Sequence, residues 1–501
     1  MDTLSTSIAS ERALAKHLAD LAAILGLPDQ PSWSHIDVTG ICEDTRRLVP
    51  GNLFVAIPGH DRDGRAYVSC AIEAGAVAIV AEQSLSASVP VFVVPHARIA
   101  LAQLAAAFYD DPTRGLFTVG VTGTNGKTTV CHWIADILGR HRSKLVTTVQ
   151  NPALGMPGLT TPPSPMIQFL AREAVSANVT TLILEASSAG IEQERVSYVD
   201  FDACVFTNLS LEHVRHHNGW AAYRRAKLKL FEELKPEAWA VVNADDPMAD
   251  AVVAATPAQV FQYGCSAEVD VRVSDIQLGS RSSQFVVHIR GANRRIDLRL
   301  PVPGRHNVFN ALAAVSVGVV AGIPLPDIAG RLAQAGPLPG RSEFFCREDG
   351  LAAIVDFAHN GASLESLLAT LRMSTSQLIV VFGCPGDGES EKRASMGKAC
   401  AQWADFVVLT SDNPKYEDAG AIGEEIRAGM AGSPIPVSIV IDRRRAIGIA
   451  IKRAKPGDLI VLAGKGHESE QLIGDDRLPY SDADELRALG FIVDTGSAEN
   501  G

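Results

Sequence analysis

Phe117-Thr-Val-Gly-Val-Thr-Gly-Thr-Asn-Gly-Lys-Thr-Thr-Val-Cys-His-Trp-Ile-Ala-Asp-Ile-Leu138 contains three structural signals in one stretch. Phe117 to Val121 is a run of strand formers that reads as a buried strand. Gly123-Thr124-Asn125-Gly126-Lys127-Thr128 follows as a glycine-rich turn, in which backbone N–H groups can approach phosphate oxygens. Lys127 supplies charge to terminal phosphates, and the Thr128 hydroxyl suits Mg²⁺. Val130, Trp133, Ile134, Ile137 and Leu138 then recur at the spacing of a core-facing helical stripe, so the loop lies at a helix N-terminus, where anions are favoured. Val121 stands where the usual G-x-x-x-x-G-K-[ST] pattern has glycine. By itself the loop supports nucleotide binding; a motor or a kinase fits it equally well.

On its N-terminal side, Leu53–Ile57, Ala76–Val80 and Val89–Val94 are short apolar runs, with a helix-like stretch from Tyr67 to Ala74 that Gly75 stops. They predict a small α/β domain over residues 1–96. A helix over Ala97–Tyr109, ended by Asp110-Asp111-Pro112, opens a central domain over 97–336. There Leu182–Leu184, Ala203–Phe206 and Ala238–Val242 read as strands buried on both faces. Gln284–Arg290 and Arg295–Leu300 alternate apolar and polar residues, which predicts a side antiparallel sheet. A helix over Asn307–Val320 precedes a turn-rich hinge, Gly336-Pro-Leu-Pro-Gly340.

Residues 337–501 repeat a strand-helix rhythm with strands at Ala353–Asp356, Gln377–Phe382, Phe406–Thr410, Val437–Ile441 and Asp458–Leu462. This predicts a parallel, Rossmann-like sheet whose ligands sit beyond the strands' carboxyl ends. Those ends carry His359, Gly383, Asp412-Asn413-Pro414-Lys415 and Gly464-Lys465-Gly466-His467-Glu468. The expected class is α/β with three domains: a small N-terminal domain, a central P-loop ATPase-like parallel sheet with its antiparallel companion, and a Rossmann-like C-terminal domain.

The 501 residues suffice for about three domains at ~150 residues each. A formal net charge of -12 argues against coating nucleic acid, which is bound mainly through surplus lysine and arginine. The first residues lack a signal-peptide layout, and no apolar run approaches the ~20 residues of a membrane span. Eight scattered cysteines without a C-x-x-C pair suit a reduced, cytoplasmic protein.

Other chemistry-bearing residues are ambiguous one at a time. Glu185 ends a strand, where an isolated acid is more often solvated than metal-bound; His213 after the next strand can reach the same edge. Lys227 reads locally as a surface lysine, and His216 and His217 lack carboxylates at metal-site spacing. Gly464-Lys465-Gly466 lacks the Ser or Thr and the apolar helix of a second phosphate loop, so an amino-acid or product-side loop is preferred. Asp412-Asn413-Pro414-Lys415 is an Asx turn or a place for a carboxylate-bearing substrate.

In order, Gly123–Thr129, Glu185-Ala-Ser-Ser188, Thr207-Asn-Leu-Ser210, Ala226-Lys227, Gly304-Arg-His-Asn307, Gly340-Arg341, Asp356-Phe-Ala-His359, Asp412-Asn-Pro414 and Gly464–Glu468 resemble the Mur ligases across nearly the whole chain. The last two motifs resemble the branch that adds a diamino acid to UDP-N-acetylmuramoyl-L-alanyl-D-glutamate in peptidoglycan synthesis. The resemblance implies that a substrate carboxylate takes the γ-phosphate of ATP, and that an amine then displaces phosphate to give amide, ADP and inorganic phosphate. It implies a phosphate grip by Gly123, Thr124, Asn125, Gly126, Lys127, Thr128 and Thr129, with Asn307 at the adenine and Arg341 and Asp356 completing the ATP site. It implies Mg²⁺ on Thr128 and Glu185, a second metal on His213 and carbamylated Lys227, and catalytic roles for Lys127, Glu185, His213 and Lys227. Thr45, His60, Asp61 and Arg62 align with the uridine-nucleotide grip, and Thr160, Thr161, Ser187, Gln193 and Arg195 with the sugar-peptide site. Arg393, Asp412, Asn413, Pro414, Lys415, Gly464 and Glu468 align with the amino-acid pocket. The protein is expected to act as a monomer without nucleic-acid partners.

The chain departs from the family at three places, and from its diaminopimelate-adding members at a fourth. S-S-H becomes Ser187-Ser188-Ala189, R-D-H becomes Leu211-Glu212-His213, and G-G-D-R-D becomes Pro385-Gly-Asp-Gly-Glu389. Lys415 replaces the arginine of D-N-P-R, keeping charge and losing the bidentate fork. Meso-diaminopimelate is therefore the first expectation, ahead of L-lysine. A ligase joining another acid and amine in a specialised pathway and a non-catalytic nucleotide-binding regulator are the alternatives.

Overall fold

The computed structural model describes residues 14–28, 30–59, 63–156, 158–210, 219–291, 294–386 and 390–494. The N-terminal unit is a four-stranded parallel sheet in chain order, β1 (Gly40–Cys42), β2 (Asn52–Val55), β3 (Ala78–Ala81) and β4 (Val91–Val93). Its inner strands are apolar on both faces because both are covered. Leu53, Val55, Ala78 and Val80 pack with Leu18, Trp33 and Phe92, while Phe54, Ile79 and Ala81 pack with Val68 and Ala71. Helix α1 (Ala97–Phe108) gives Ala97, Leu101, Leu104 and Phe108 to the first of these cores. We therefore place the break between the first two units at residues 110–116, beyond α1, instead of at residue 97.

The central unit is one nine-stranded sheet built from β5 (Phe117–Thr122), β6 (Ser143–Val146), β7 (Thr181–Glu185), β8 (Ala203–Phe206), β9 (Trp239–Asn243), β10 (Gln259–Gly264), β11 (Val271–Leu278), β12 (Ser283–Ile289) and β13 (Arg294–Leu300), in the order β13-β12-β11-β10-β9-β8-β5-β7-β6. The strands from β6 to β11 in this order pair in parallel, and β11-β12-β13 pair antiparallel. The expected antiparallel ribbon is present, joined to the parallel sheet through the Tyr263↔Val271 and Gly264↔Arg272 pairs. Helix α2 (Lys127–Leu138) buries Val130, Trp133, Ile134 and Ile137 against Val308, Leu312 and Val315 of a helix over Arg305–Val320.

The C-terminal unit consists of β14 (Glu343–Cys346), β15 (Ala352–Asp356), β16 (Leu378–Phe382), β17 (Phe406–Leu409), β18 (Val437–Ile439), β19 (Leu459–Ala463) and β20 (Ile492–Val493), ordered β18-β17-β16-β19-β15-β14-β20. The five strands expected from the sequence form its parallel portion, and β14 and β20 add an antiparallel edge. Adjacent strands β17, β16, β19 and β15 bring Asp412, Gly383, Gly464 and His359 to one end of the sheet. Likewise β9, β8, β5 and β7 bring Asn243, Thr207, Gly123 and Glu185 together. No helix among the described residues is long and apolar enough to cross a membrane.

Candidate active site

The glycines of the loop after β5 are required by their surroundings. Gly123 has φ +147° and Gly126 φ +87°, and a Cβ on them would lie 1.9 Å from Thr207 Oγ1 and 2.3 Å from Asn310 Oδ1. The loop is held from β8's end: Asn208 Oδ1 accepts from Asn125 N at 3.0 Å, while Asn208 Nδ2 and Thr207 Oγ1 donate to Asn125 O at 3.0 and 2.7 Å. Lys127 Nζ folds across it, donating to Gly123 O at 2.9 Å and Thr124 O at 2.8 Å. Its charge therefore sits at the mouth of the anion cradle.

Thr128 Oγ1 donates to Glu185 Oε1 at 2.8 Å. Glu185, 1% exposed, also accepts from Thr148 N at 2.9 Å and Thr148 Oγ1 at 3.1 Å. Arg341 Nη2 reaches the same Thr128 hydroxyl at 3.3 Å, with its guanidinium 4.3 Å from the centre of the Phe357 ring. Loop, acid and hinge arginine thus meet on one oxygen. Asp356, at the end of β15, fixes that hinge by accepting from Ser342 N at 2.7 Å and Ala358 N at 2.7 Å.

Lys227 is buried at 2% exposure and is not the surface lysine its local sequence suggests. Its Nζ donates to Gly123 O at 2.9 Å and lies 5.0 Å from the Tyr223 ring centre. The Tyr223 hydroxyl pairs with Thr124 Oγ1 at 3.0 Å. His213, His216 and His217 lie outside the described residues, as do His60, Asp61 and Arg62 and the 387–389 part of the Pro385–Glu389 departure.

A cavity of about 470 Å³ opens beside Gly126 between the central and C-terminal units, lined among others by Thr129, His306, Asn307, Asn310, Phe357 and Ser366. Asn307 is fixed within it, donating to Pro303 O at 2.8 Å and accepting from Asn310 Nδ2 at 3.2 Å. Next to the loop on the β7 side, Thr161 Oγ1 donates to Glu185 O at 2.8 Å and accepts from Ser187 N at 2.9 Å. Arg195 donates to Thr161 O and Gln193 Oε1, both at 2.7 Å. Thr160 is held through its carbonyl by Asn151 Nδ2 at 3.0 Å. Thr45 lies on the N-terminal unit two residues beyond Glu43, whose carboxyl burial pushes up while the Arg195 charge opposes that rise.

In the C-terminal pocket Lys465 is fully buried, 3.6 Å from Asp412 Oδ1, and it donates to Glu468 Oε2 at 3.0 Å and Asn413 Oδ1 at 3.2 Å. Burial raises the Asp412 pKa, and Lys465 works against that rise. Asn413 and Lys415 both adopt positive φ, +49° and +53°, which costs of order 1–3 kcal/mol per residue and is held by neighbouring contacts. Leu472 N donates to Asn413 Oδ1 at 3.1 Å, and Lys415 N donates to Leu472 O at 3.1 Å. Gly464 lies against Asp412, with a built Cβ 2.6 Å from Asp412 Oδ2. Arg393 is near this pocket, but its guanidinium donates to Glu417 at 2.6 Å, Glu425 at 3.0 Å and Pro385 O at 3.3 Å. Burial and the Arg341 charge push the His467 imidazole down to about 3, so it is neutral near pH 7.

Residues 37–109 match the Mur ligase family, catalytic domain; residues 121–318 match the Mur ligase middle domain; residues 340–466 match the Mur ligase, glutamate ligase domain. A curated relative from Geobacillus thermodenitrificans, UDP-N-acetylmuramoyl-L-alanyl-D-glutamate--2,6-diaminopimelate ligase, is 38% identical over 469 residues, 90% of this chain and 94% of its own.

This chain belongs to the Mur ligase family.

It is accordingly an ATP-dependent ligase. A solved UDP-N-acetylmuramoyl-L-alanyl-D-glutamate--2,6-diaminopimelate ligase is similar at TM-score 0.66 and 28% identity, covering 95% of this chain and 98% of its own. The fold is also shared with a MurF ligase from Thermotoga maritima solved in complex with ADP, at TM-score 0.62 and 19% identity over 85% of this chain and 93% of that one.

Sequence reasoning missed Thr148, Asn151 and Tyr223, which hold Glu185, the 159–160 turn and Thr124. It also missed Arg443 and Asp482. Arg443 donates to Asp482 Oδ1 at 2.8 Å and Oδ2 at 2.7 Å, and to Ser411 O and Ala463 O at 3.5 and 3.0 Å, the residues just before Asp412 and Gly464. An arginine opening a run of three is the sequence signal that was available.

Proposed function

We propose that this Mur ligase joins meso-diaminopimelate to UDP-N-acetylmuramoyl-L-alanyl-D-glutamate in peptidoglycan synthesis, with release of ADP and phosphate. What supports this reading is that Thr128 Oγ1 meets both Glu185 of the central unit and Arg341 of the hinge, at the junction of the central and C-terminal units. In this reading the loop N–H groups and Lys127 hold the triphosphate, and Arg341 adds charge where the γ-phosphoryl group leaves ADP. A carboxylate oxygen of the acid substrate attacks that phosphorus to form an acyl phosphate. The amine then attacks the acyl carbon and phosphate departs, its proton passing to solvent. Thr45 and His60–Arg62 take the uridine end; Thr160, Thr161, Ser187, Gln193 and Arg195 take the sugar-peptide.

The hydroxyl of Thr128 and the carboxylate of Glu185 are hard oxygen donors 2.8 Å apart, which suits Mg²⁺; this ion keeps few protein ligands and takes others from phosphate. When bound, it neutralises phosphate charge. We assign a second metal ion to His213 and to Lys227 as a carbamate, which turns an amine cation into an oxygen ligand. Native mass spectrometry of the intact protein in bicarbonate buffer should find one CO₂ increment that Lys227→Ala removes, and an increment that persists in that variant, or none in the parent protein, refutes the assignment.

Asn413, Lys415, Gly464 and Glu468 form the amine pocket, with Lys415 facing the distal carboxylate of diaminopimelate. Lys415→Ala should raise KM for diaminopimelate about tenfold, the scale of one lost charge-assisted hydrogen bond, and leave KM for ATP unchanged. An unchanged preference removes Lys415 from that role. The decisive measurement for the whole reading is ADP release with the UDP-muramoyl dipeptide and a panel of amino acids. Release with diaminopimelate alone is expected, and silence with every amine overturns it. The exposed Ala189 beside Ser187, where the family has histidine, favours a second reading with a different acid substrate, which the same assay exposes with other carboxylates.

A further inference from the structure

Gly304 has φ +103°, and a Cβ there would lie 2.6 Å from His306 Cε1 and 3.0 Å from Nδ1. The imidazole of His306 therefore rests against Gly304, and any larger residue at 304 displaces the ring. So held, His306 Nδ1 lies 3.2 Å from Ser366 Oγ. The two residues belong to different units: His306 lies in the first turn of the helix Arg305–Val320 of the central unit, and Ser366 lies on helix Gly361–Arg372 of the C-terminal unit. Asn360 and Ser363 form a capping box that fixes the start of this second helix, and Thr370 Oγ1 donates to Ser366 O at 2.8 Å within it. Both His306 and Ser366 line the cavity of about 470 Å³.

The phosphate end of that cavity has its own polar crossings, Arg341 to Thr128 at 3.3 Å and Asn360 Nδ2 to Asn125 Oδ1 at 3.4 Å. Asn307 has its amide engaged with Pro303 and Asn310 of its own unit. His306 instead reaches across the seam. Burial lowers its imidazole pKa, with Asp356 opposing, so near pH 7 the neutral ring offers one donor and one acceptor to a hydroxyl that can serve as either.

We propose that His306 is a positioning residue that, through Ser366, fastens the wall of the ATP cavity from the central unit to its wall from the C-terminal unit, so that this contact and nucleotide binding strengthen each other. A nucleotide in this cavity meets walls from both units, and a bond fastening those walls raises the fraction of molecules ready to bind it. The inference rests on the ATP site and is independent of the identity of acid and amine.

Titration calorimetry of the full chain with a non-hydrolysable ATP analogue and Mg²⁺ tests it. His306→Phe and Ser366→Ala should each weaken affinity about fivefold, the scale of one net hydrogen bond. The double variant should also lose about fivefold, where independent effects would multiply to about 25-fold. Ser366→Thr, which keeps the hydroxyl, should restore affinity to within about twofold. If His306→Phe fails to fold, the Ser366→Ala and Ser366→Thr pair carries the same test. Multiplying losses, a loss at His306 with none at Ser366, or equal loss in both serine variants would each overturn the coupling. Because the titration uses no acid or amine substrate, a wrong substrate assignment leaves its outcome readable.

Discussion

Glu185→Gln lowers the rate of ADP release by about two to three orders of magnitude, the scale for removing one charged or hydrogen-bonding group from a transferring centre. The amide is nearly isosteric. It can still accept from Thr128 and Thr148 N at Oε1, while the Thr148 hydroxyl turns from donating to Oε2 to accepting from the new NH₂. What disappears is a negative charge at 1% exposure beside the phosphate loop. Glu185→Ala additionally strands three donors and should cost roughly 1–3 kcal/mol of stability for each one that water cannot reach. Comparing the two separates chemistry from folding. A fully active, normally folded Glu185→Gln enzyme removes Glu185 from the phosphoryl-transfer site.

The second large effect is structural at its origin. In Asp482→Ala the Arg443 guanidinium, 1% exposed, loses its bidentate partner. Burial works against that charge, yet Asp482 and its hydrogen bonds hold the Arg443 pKa above its ordinary range. Removing one partner of a buried pair costs about 3–5 kcal/mol. For a unit of this size that corresponds to roughly 10 °C in melting temperature. Arg443 also ties Ser411 O to Ala463 O, so the Asp412 and Gly464 loops should loosen together. KM for the amino acid is expected to rise about tenfold, as for one lost charged contact, and affinity for the ATP analogue to hold. Calorimetric melting with the two affinities decides this. Unchanged stability means that water or another group replaces the carboxylate, and loss of ATP affinity places the strut elsewhere.

Much of the phosphate site is legible from the sequence because its signals are local. Glycines at fixed offsets, a lysine and a helical stripe all lie within 117–138, and the strand endings at Glu185, Asp412 and Gly464 follow from apolar runs that stop abruptly. Lys227 shows what local reading misses. It sits among Arg224, Arg225 and Lys229, and only the seating of the helix Trp220–Glu232 turns its amine toward Gly123. Arg443 is hidden in the same way, as the first of three arginines of which one is buried. β6 and β14 are not legible in the sequence because Ser143-Lys-Leu-Val146 and Glu343-Phe-Phe-Cys346 are only four residues long, too short to establish an alternation without their neighbours. The ribbon's alternation was visible, but its continuity with the parallel sheet depends on two residue pairs between β10 and β11.

The turn at Asn413–Lys415 and the hairpin of Glu470–Ile473 with Asp476–Pro479 are laced to each other: Lys415 N donates to Leu472 O at 3.1 Å and Gly474 N to Lys415 O at 2.7 Å. This makes the amine end a two-part cassette. During divergence, a change of amino acid that reshapes one segment has to carry the other with it. An engineer who grafts a relative's 411–417 segment should graft 468–479 from the same donor, because a mixed pair must find the left-handed turn and the backbone ladder in two sequences that never evolved together.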